Sequence, residues 1–444
     1  MEINWYGSFF VILSIFLVAI YRRIRFVDLF IFFVPFNSTA VFFIAETPFS
    51  LPLLLFFLAF FSFIFIAIVK RKIKYPKTLR RNLRWLFVTG VAAILSQIMP
   101  FIINGDYKVL DRYNSLVFYA KEIPLVPSFQ WITQLFYFLI GLLIVFLVTV
   151  SYQTRYDIKR LFKFFIAGIS FMIFWGWFEY FCFFTKIPYP YEIFDHMGMS
   201  RKGTLIGSNG LPRMVSVTME ASYFAQILTP AIPFFYWFNQ KNTTTEFYSS
   251  KNKFLYTIST ISLVIAQTST GILGFLMTIG LLLKNKIRNF SRNIKIILVL
   301  LFAVLCALGL FFAITILIEK SGNYSGIERL KTITLGVKYF IDYPLLGVGW
   351  GVFPTYDFLI NLLANFGLIG TIPFLILLRN IYIKLGKLIK LKDNNLAISR
   401  AGIESFVLIL IVSQLSGFIY HSQYFWMYIG IAMSIAALDK TKTQ

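Results

Sequence analysis

Apolar segments of about 20 residues recur along the whole chain, and this recurrence limits the possible folds more than any other feature. Each segment is long enough to cross a bilayer core about 30 Å thick. The 444 residues are 58% hydrophobic and 14% charged, whereas about half of a soluble domain is apolar and about a quarter is charged. We therefore predict an all-α fold: a polytopic transmembrane bundle of about 12–13 helices that forms a single integral membrane domain over residues 1–444.

The basic residues are concentrated in the connectors between these apolar segments. The segment from Lys70 to Arg84, KRKIKYPKTLRRNLR, carries eight basic residues and no acidic one. Cytoplasmic loops of membrane proteins are enriched in Lys and Arg, so this bias predicts an external amino terminus and a cytoplasmic carboxyl terminus. The same bias explains the net charge of +23 without a basic domain, and it excludes nucleic acid as a partner.

Two apolar runs need interpretation before the spans can be counted. The run from Phe26 to Ala45 has the length of one span, and we predict one. The run from Phe254 to Leu283 is too long for one ordinary span, and the polar sequence QTSTG (Gln267 to Gly271) interrupts it. We predict two short spans here, because they keep the basic residues that follow on the cytoplasmic side.

Two longer connectors are predicted to lie outside the cytoplasm, at residues 185–218 and residues 319–357. The second begins the stretch from Glu319 to Gly370 and contains YPLLGVGWG, in which one proline and three glycines fall within nine residues. That composition is typical of turns and not of a helix. We expect any chemistry where this stretch meets the membrane, with the two external loops forming the site.

Charged residues in these loops are the first candidates for a site. Glu220 begins an apolar helix, where the helix dipole favours a carboxylate; an ordinary helix-start carboxylate and a site residue both remain open. Arg201 and Arg213 lie in the first loop and Arg329 in the second. Guanidinium groups bind phosphates through paired hydrogen bonds. Several arginines on one face indicate a diphosphate or acidic headgroup as ligand, although each can also be a solvated surface charge.

Other titratable residues carry weaker signals. Glu179 lies inside a predicted span, where an ionised group is costly and usually paired or functional. It either pairs with a neighbouring helix or lines a cavity. His196 and His421 are the only histidines, and each is a candidate base near neutral pH or an ordinary loop residue. The sequence has no metal-binding cluster and no nucleotide-binding glycine loop, so we expect no metal and no cofactor.

Four motifs in order resemble those of the O-antigen polymerase and ligase superfamily, membrane glycosyltransferases of the GT-C type. The family motifs are an Arg…Glu-Pro-Ser-x-Phe-Ala segment, a Ser-Arg-Thr-Gly helix break, a Pro-Leu-x-Gly-x-Gly-x-Gly loop after an arginine, and a glycine-containing re-entry helix. The matching segments here, which cover roughly Arg213 to Pro373, are RMVSVTMEASYFA, AQTSTGILGFL, IERLKTITLGVKYFIDYPLLGVGWG and DFLINLLANFGLIG.

The resemblance implies a metal-independent polymerase in the cytoplasmic (inner) membrane, with its active site facing the periplasm or cell exterior. It would join undecaprenyl-diphosphate-linked oligosaccharide units into O-antigen, capsule or exopolysaccharide. A chain-length regulator protein is a further partner. The residues corresponding to Arg213 and Arg329, with Arg201 nearby, would bind the diphosphate. Glu220 would act as a base or orient the acceptor.

The chain departs from the family pattern at three positions. The ligase branch has a His-x-x-Asn type of entry to the re-entry helix, where this chain has Tyr356 and Asp357. This favours polymerase over ligase, and it makes Asp357 a second candidate for the catalytic base and Tyr356 a further site candidate. Ala221 replaces the proline after the glutamate, and Thr270 replaces the arginine of the helix break.

Two other readings remain as alternatives. A ligase would transfer a finished glycan to a lipid or protein acceptor. A transporter or flippase of lipid-linked oligosaccharides would belong to another class, and it would be expected to carry charged residues deep in many spans. In this chain most charges lie in connectors, which favours the enzyme.

Overall fold

The computed structural model describes residues 2–21, 23–44, 47–70, 77–111, 120–196, 210–239, 250–287, 324–390, 396–414 and 419–438. Over these residues the chain is predominantly helical, with one three-stranded and one two-stranded antiparallel sheet, both small. The predicted all-α polytopic fold is confirmed.

The α-helices of the described residues are numbered here in chain order. They are α1 (Trp5–Ile20), α2 (Phe26–Phe33), α3 (Leu51–Lys70), α4 (Lys77–Ser96), α5 (Met99–Ile103), α6 (Phe129–Ser151), α7 (Arg155–Thr185), α8 (Ala221–Leu228), α9 (Ile232–Phe238), α10 (Ser250–Ile265), α11 (Ser269–Ile287), α12 (Tyr324–Asp342), α13 (Phe358–Lys390), α14 (Leu396–Ser413) and α15 (Gln423–Ala437). Short 3₁₀ turns lie at Tyr191–Ile193, Thr229–Ala231 and Ile419–His421. The strands are β1 (Glu2–Ile3), β2 (Ala40–Ile44), β3 (Thr47–Ser50), β4 (Lys108–Leu110) and β5 (Glu122–Pro124).

Six helical segments of the described chain are long and apolar enough to cross a membrane, so the protein is a polytopic membrane protein. They are Leu51–Val69, Leu79–Ile103, Phe129–Ser151, Arg155–Thr185, Phe358–Lys390 and Leu396–Ser413. Helix α1 and the start of α11 are apolar but shorter. A further apolar run, residues 296–318, lies outside the described residues, so the total of about 12–13 spans stays a prediction.

The single span predicted for the run from Phe26 to Ala45 is wrong, because the helix there ends early. Helix α2 has only eight residues and is about 12 Å long. Pro35 follows it and has no backbone N–H to continue the helical ladder. Strand β2 then pairs antiparallel with β3 and also with β1. Aromatic and β-branched residues suit a pleated strand as well as a membrane span, and hydropathy alone does not separate the two.

The polar interruption before α11 is a true helix break, as predicted. Helix α10 ends at Ile265 and α11 begins at Ser269. Between them Gln267 adopts a left-handed conformation with φ of 50°, which ends a right-handed helix. The apolar run from Met219 to Phe238 is also interrupted, because a 3₁₀ turn separates α8 from α9.

Helix α13 is long and bent. It continues past the apolar run that ends near Leu378, through basic residues, to Lys390. Gly367 has φ of 58° and ψ of −157° inside it, and these angles bend the helix. An added Cβ there would lie 2.4 Å from the Leu345 carbonyl carbon. Gly367 therefore allows the preceding turn to pack directly against the helix.

Small residues bring α6 and α15 together at the centre of the bundle. A Cβ added to Gly141 of α6 would lie 2.1 Å from Cε2 of Trp426, and one added to Gly430 of α15 would lie 2.9 Å from Cβ of Val148. Trp426 is 1% exposed and donates its indole N–H to the Tyr420 carbonyl at 2.8 Å. Close packing at small residues is the usual basis of helix association in membranes.

The glycine-rich turn between α12 and α13 is inserted into this bundle. Gly347, Gly349 and Gly351 have φ of 65°, 106° and 79°. Trp350 lies between two of these glycines, is 3% exposed and donates its indole N–H to the Gln134 carbonyl at 3.2 Å. The turn is non-helical, as predicted, and it is a packed part of the core.

Candidate functional site

The candidate site lies where the residues before α8 meet the start of α13. We call this the site end of the bundle: the end of α7 that carries Glu179. The segment 213–220 has no regular secondary structure, yet Asn37, after α2, and Glu179 of α7 both bind it. Gln267 of the α10–α11 break binds Pro212, directly before it. Its geometry is therefore set by the tertiary structure.

Glu179 shapes the middle of this segment. The side chain is 3% exposed, and its Oε2 accepts hydrogen bonds from the backbone N–H of Val215 at 3.0 Å and of Ser216 at 2.9 Å. Ser216 has φ of 60°, and its hydroxyl donates to the Met172 carbonyl at 2.5 Å. Of the two roles left open for Glu179, the structure supports the structural one, although its partner is a loop and not a helix.

Both ends of the segment are also fixed. The Pro212 carbonyl accepts hydrogen bonds from the Tyr180 hydroxyl and from the Gln267 amide, the latter at 3.4 Å. At the other end the Met219 N–H donates to Oδ1 of Asn37 at 3.0 Å. Arg213 directly follows Pro212 and is partly buried. Because its backbone neighbours are bonded, the position of Arg213 is set by α7 and the helix break.

Glu220 ends the segment as the N-cap residue, directly before α8. Its backbone is extended, with φ of −153° and ψ of 160°, and its side chain makes no capping bond to the helix. The carboxylate accepts a hydrogen bond from the Ser222 hydroxyl at 3.1 Å. A carboxylate at this position is favoured by the helix dipole. A residue at the N-cap position usually accepts a hydrogen bond from a backbone N–H of the first helical turn. Among the described residues the Glu220 carboxylate accepts no such bond, so it does not have this structural role.

Tyrosines link Glu220 to the second predicted loop. Tyr223, three residues further along α8, is within electrostatic range of both Glu220 and Tyr356. Its ring packs edge-on against Tyr424 of α15, with centroids 6.2 Å apart. The Tyr424 hydroxyl in turn donates to the side-chain carbonyl of Gln226. Tyr223 thus stands between the two motifs that the sequence separates by more than a hundred residues.

Arg329 completes this group from helix α12. Its guanidinium carbon lies 5.3 Å from the centroid of the Tyr356 ring, a cation–π contact. Among the described residues no hydrogen-bond acceptor pairs with its buried Nε. Arg329 thus contacts Tyr356, and Tyr356 and Glu220 both lie within electrostatic range of Tyr223, so a helix start, two helices and a turn place these four residues near one another.

Asp357 follows Tyr356 and has a clear structural role. Its Oδ1 accepts the Ile360 N–H at 2.9 Å, which caps the start of α13. With its amide nitrogen turned toward the carboxylate, Gln414 donates to both oxygens at 3.3 Å. Capping of this kind stabilises a helix start by about 1 kcal/mol. These bonds occupy part of the accepting capacity of Asp357, whereas Glu220 has no such bond to its helix.

The two histidines lie in partly buried turns. His196 Nε2 is 2.5 Å from the Glu192 carbonyl oxygen, and its ring stacks on Tyr6 with centroids 6.2 Å apart. Burial lowers the pKa of His196 below its usual value. Burial also lowers the pKa of His421 to about 4. Both imidazoles are therefore neutral at pH 7. Arg201 lies outside the described residues, so its placement in the site stays a prediction.

The residues that sequence reasoning missed are mainly aromatic or amide side chains. Tyr223 lies near both Glu220 and Tyr356, Tyr424 packs against Tyr223, and Asn37 holds the segment before α8. Tyr223 lies within the same motif, three residues after Glu220, so the sequence placed it near the candidate carboxylate. No local pattern marks Tyr424 or Asn37. In the described part of the chain no group of three or more His, Cys, Asp or Glu could hold a metal ion.

The chemistry available at this place is that of a carboxylate, a guanidinium and several phenols. A carboxylate can accept a proton, and a guanidinium can bind an anionic oxygen. No protein-family model matches this chain. No curated protein matches its sequence.

Proposed function

We propose that this protein is a membrane glycosyltransferase that polymerises lipid-diphosphate-linked oligosaccharides. Two features support the proposal: the ordered motifs that resemble the O-antigen polymerase and ligase superfamily, and the proximity, at the site end, of Glu220 and Tyr223 from the first motif to Tyr356 and to Arg329 of the third motif. The observation that carries most weight is the succession Glu220, Tyr223, Tyr356 and Arg329. An acid–base group and an anion-binding group thus belong to one local cluster.

The proposed donor and acceptor are undecaprenyl-diphosphate-linked repeat units, and the product is O-antigen, capsule or exopolysaccharide. The site end faces the exterior of the cytoplasmic membrane in this proposal, as the distribution of basic residues predicts. A regulator of chain length is the proposed protein partner. In this proposal the lipid portion of the donor lies in the bilayer beside the apolar helices, and its diphosphate reaches the polar end of the bundle.

The proposed reaction transfers a glycan between two oxygen atoms. A hydroxyl oxygen of the acceptor attacks the anomeric carbon of the donor, and a new glycosidic C–O bond forms. The bond between that carbon and the diphosphate oxygen breaks, and its electron pair leaves with the lipid diphosphate. The hydroxyl proton passes to a carboxylate. Atoms and charge balance without an oxidant, a reductant or a nucleotide.

Each named residue has a role in this step. Arg329 and Arg213 hold the diphosphate and stabilise the charge that develops as it leaves, a type of electrostatic stabilisation that often dominates catalysis. Glu220 takes the proton, and it is preferred to Asp357 because Asp357 caps α13. The histidines are weaker candidates, because their pKa values are lowered by burial.

The experiment is complementation of a host strain that lacks its own polymerase, with polymer length measured on a gel. Arg329→Ala and Arg213→Ala should abolish long-chain polymer while the protein remains in the membrane at normal level. Lys338→Ala is the matched control, because it removes an exposed cation from the same helix as Arg329. A full ladder from either arginine variant would contradict the assigned mechanism.

A further inference from the structure

The Arg329 guanidinium is held by a ring, and this contact suggests a role for the ring. The guanidinium carbon lies 5.3 Å from the Tyr356 centroid. Arg329 comes from α12 and Tyr356 from the turn that precedes α13. A guanidinium over an aromatic face is attracted by the negative charge of that face. The contact therefore sets the position of a side chain that otherwise has many rotamers.

The cation–π contact leaves the N–H donors of the guanidinium in need of other partners. The face of an aromatic ring offers no oxygen acceptor, so this contact does not satisfy the N–H donors that lie in the guanidinium plane. Nε of Arg329 is buried, and among the described residues no hydrogen-bond acceptor pairs with it. A buried donor without an acceptor is unfavourable. This donor is therefore suited to an acceptor that a bound ligand supplies.

Tyr356 is itself fixed by the turn that carries it. Three residues before it, the N–H of Phe353 donates to the Asn365 side-chain oxygen at 2.9 Å, and the Asn365 amide donates back to the Phe353 carbonyl at 2.9 Å. The two residues that flank Tyr356 in sequence are also bonded to each other, because the Thr355 hydroxyl donates to the Asp357 carbonyl at 2.9 Å. A ring on so constrained a backbone can serve as a fixed support.

We propose that Tyr356 is a positioning residue, whose ring holds the Arg329 guanidinium so that its N–H edge faces the oxygens of a diphosphate. The inference rests on the proposed function for the identity of the ligand. It goes beyond the proposed function because it assigns the affinity for the anion to a pair of residues, the charged Arg329 and the neutral Tyr356. The aromatic face of residue 356 carries this role, and its hydroxyl is not required for it.

The test measures binding directly on the full-length protein in nanodiscs of uncharged lipid. The probes are inorganic pyrophosphate and farnesyl diphosphate, titrated separately by calorimetry. Tyr356→Leu, which removes the ring, should weaken binding of both probes by about 5-fold. Tyr356→Phe should restore affinity to within about twofold of the parent. Tyr382→Leu is the control, because that tyrosine is 50% exposed on α13, and it should bind like the parent.

A double-mutant cycle separates support of Arg329 from a general effect on the fold. Arg329→Gln should weaken binding more than Tyr356→Leu does. In the Arg329→Gln background, Tyr356→Leu should cause little further loss, because the ring then has no guanidinium to hold. This non-additivity is not expected if Tyr356 only stabilises the turn. Gel filtration of each variant checks that the protein is monodisperse, so that the affinities of folded proteins are compared.

Each outcome has a defined meaning. Normal binding by Tyr356→Leu together with weak binding by Arg329→Gln overturns the positioning role but leaves the proposed function in place. Full additivity of the two changes, or failure of Tyr356→Phe to restore binding, also overturns it. Normal binding of both probes by Arg329→Gln contradicts the diphosphate site itself and, with it, the proposed function. Binding of farnesyl diphosphate but not pyrophosphate would show that the lipid supplies most of the affinity, against a role for the pair.

Discussion

The two ends of α7 each bury a carboxylate, and they do so in opposite ways. Near the start of the helix Arg160 contacts Asp28 of α2 at 2.5 Å, and Arg25 contacts it at 3.3 Å. The Tyr152 hydroxyl donates to the same carboxylate at 2.8 Å. Asp28 is fully buried. Its charge is matched within the network, which ties α2, α6 and α7 together.

Glu179 lies nineteen residues after Arg160 on α7, which is about 28 Å along the helix axis. Two backbone N–H groups stabilise its carboxylate, where arginines stabilise that of Asp28. This carboxylate does not join helices to each other. It folds the segment that begins at Arg213 and ends at Glu220. The comparison teaches that one carboxylate serves stability alone, whereas the other serves the shape of a candidate site. Substitutions at the two ends should therefore differ in what they change.

The largest expected effect is on activity and belongs to Glu220. Glu220→Gln removes the proposed proton acceptor but keeps the size of the side chain, and polymerisation should fall by about 10²–10⁴-fold. Thermal stability should stay near that of the parent. The measurement is the initial rate of polymer formation. Glu192→Gln, at an exposed position of the neighbouring loop, is the control. A rate near that of the parent would exclude Glu220 as the base.

The next effect is on stability and belongs to the other end of α7. Asp28→Asn leaves two guanidinium groups near each other without their carboxylate, and removing one member of a buried ionic network costs about 3–5 kcal/mol. Thermal unfolding in detergent should show a clear loss. The activity of the protein that remains folded should be unchanged. Asp106→Asn, at an exposed residue, should have little effect. Equal stability of the two variants would contradict the structural role of Asp28.

Glu179 should show an intermediate effect that combines the two. Glu179→Leu leaves two buried N–H groups without an acceptor, at a cost of about 1–3 kcal/mol each, and the segment before α8 should lose its shape and the enzyme its activity. Glu179→Gln keeps one acceptor oxygen and should recover part of both. Stability and polymer formation are measured in parallel. If Glu179→Leu loses stability but keeps full activity, the segment shape is not needed for function.

The smallest effect compares two glycines. Gly351 has φ of 79°, and an added Cβ would lie 2.3 Å from the Gln134 Cβ, whereas a Cβ at Gly386 would meet nothing within 4 Å. Gly351→Ala should lower stability by at least about 1–2 kcal/mol from the left-handed backbone alone. Gly386→Ala, inside a helix, should raise it by up to about 1 kcal/mol. The melting temperatures of the two variants are compared with that of the parent. Shifts of the same sign would contradict the geometry of the turn at Gly351.

Much of the membrane fold could be predicted because it depends on one strong signal. Long apolar runs indicated α3 and α6 closely, and the polar interruption before α11 marked a real break. The same signal failed at β2, since Val41 and its apolar neighbours have the composition of a span. Helix α12 was not predicted, because its residues have no continuous apolar run and its stability comes from packing. Tyr339 illustrates this, as it is 3% exposed and packs edge-on against Phe353.

The candidate site was predictable in its charged residues and not in its connections. Glu220 and Arg329 stood out because charge is rare in this chain. Tyr223 and Tyr424 did not, since 24 tyrosines are spread along the sequence and only the fold selects these two. The structural role of Asp357 and the loop-shaping role of Glu179 depend on partners distant in sequence. Such pairings follow from the tertiary structure and have no local pattern.

The most direct test of the central proposal is incubation of the purified protein in liposomes with a lipid-diphosphate-linked repeat unit, without metal or nucleotide. Products are separated on a gel, and Glu220→Gln is run beside the parent. The proposal predicts a ladder of polymer from the parent and none from the variant. Intact substrate that has only moved across the bilayer would contradict it and would indicate a transporter.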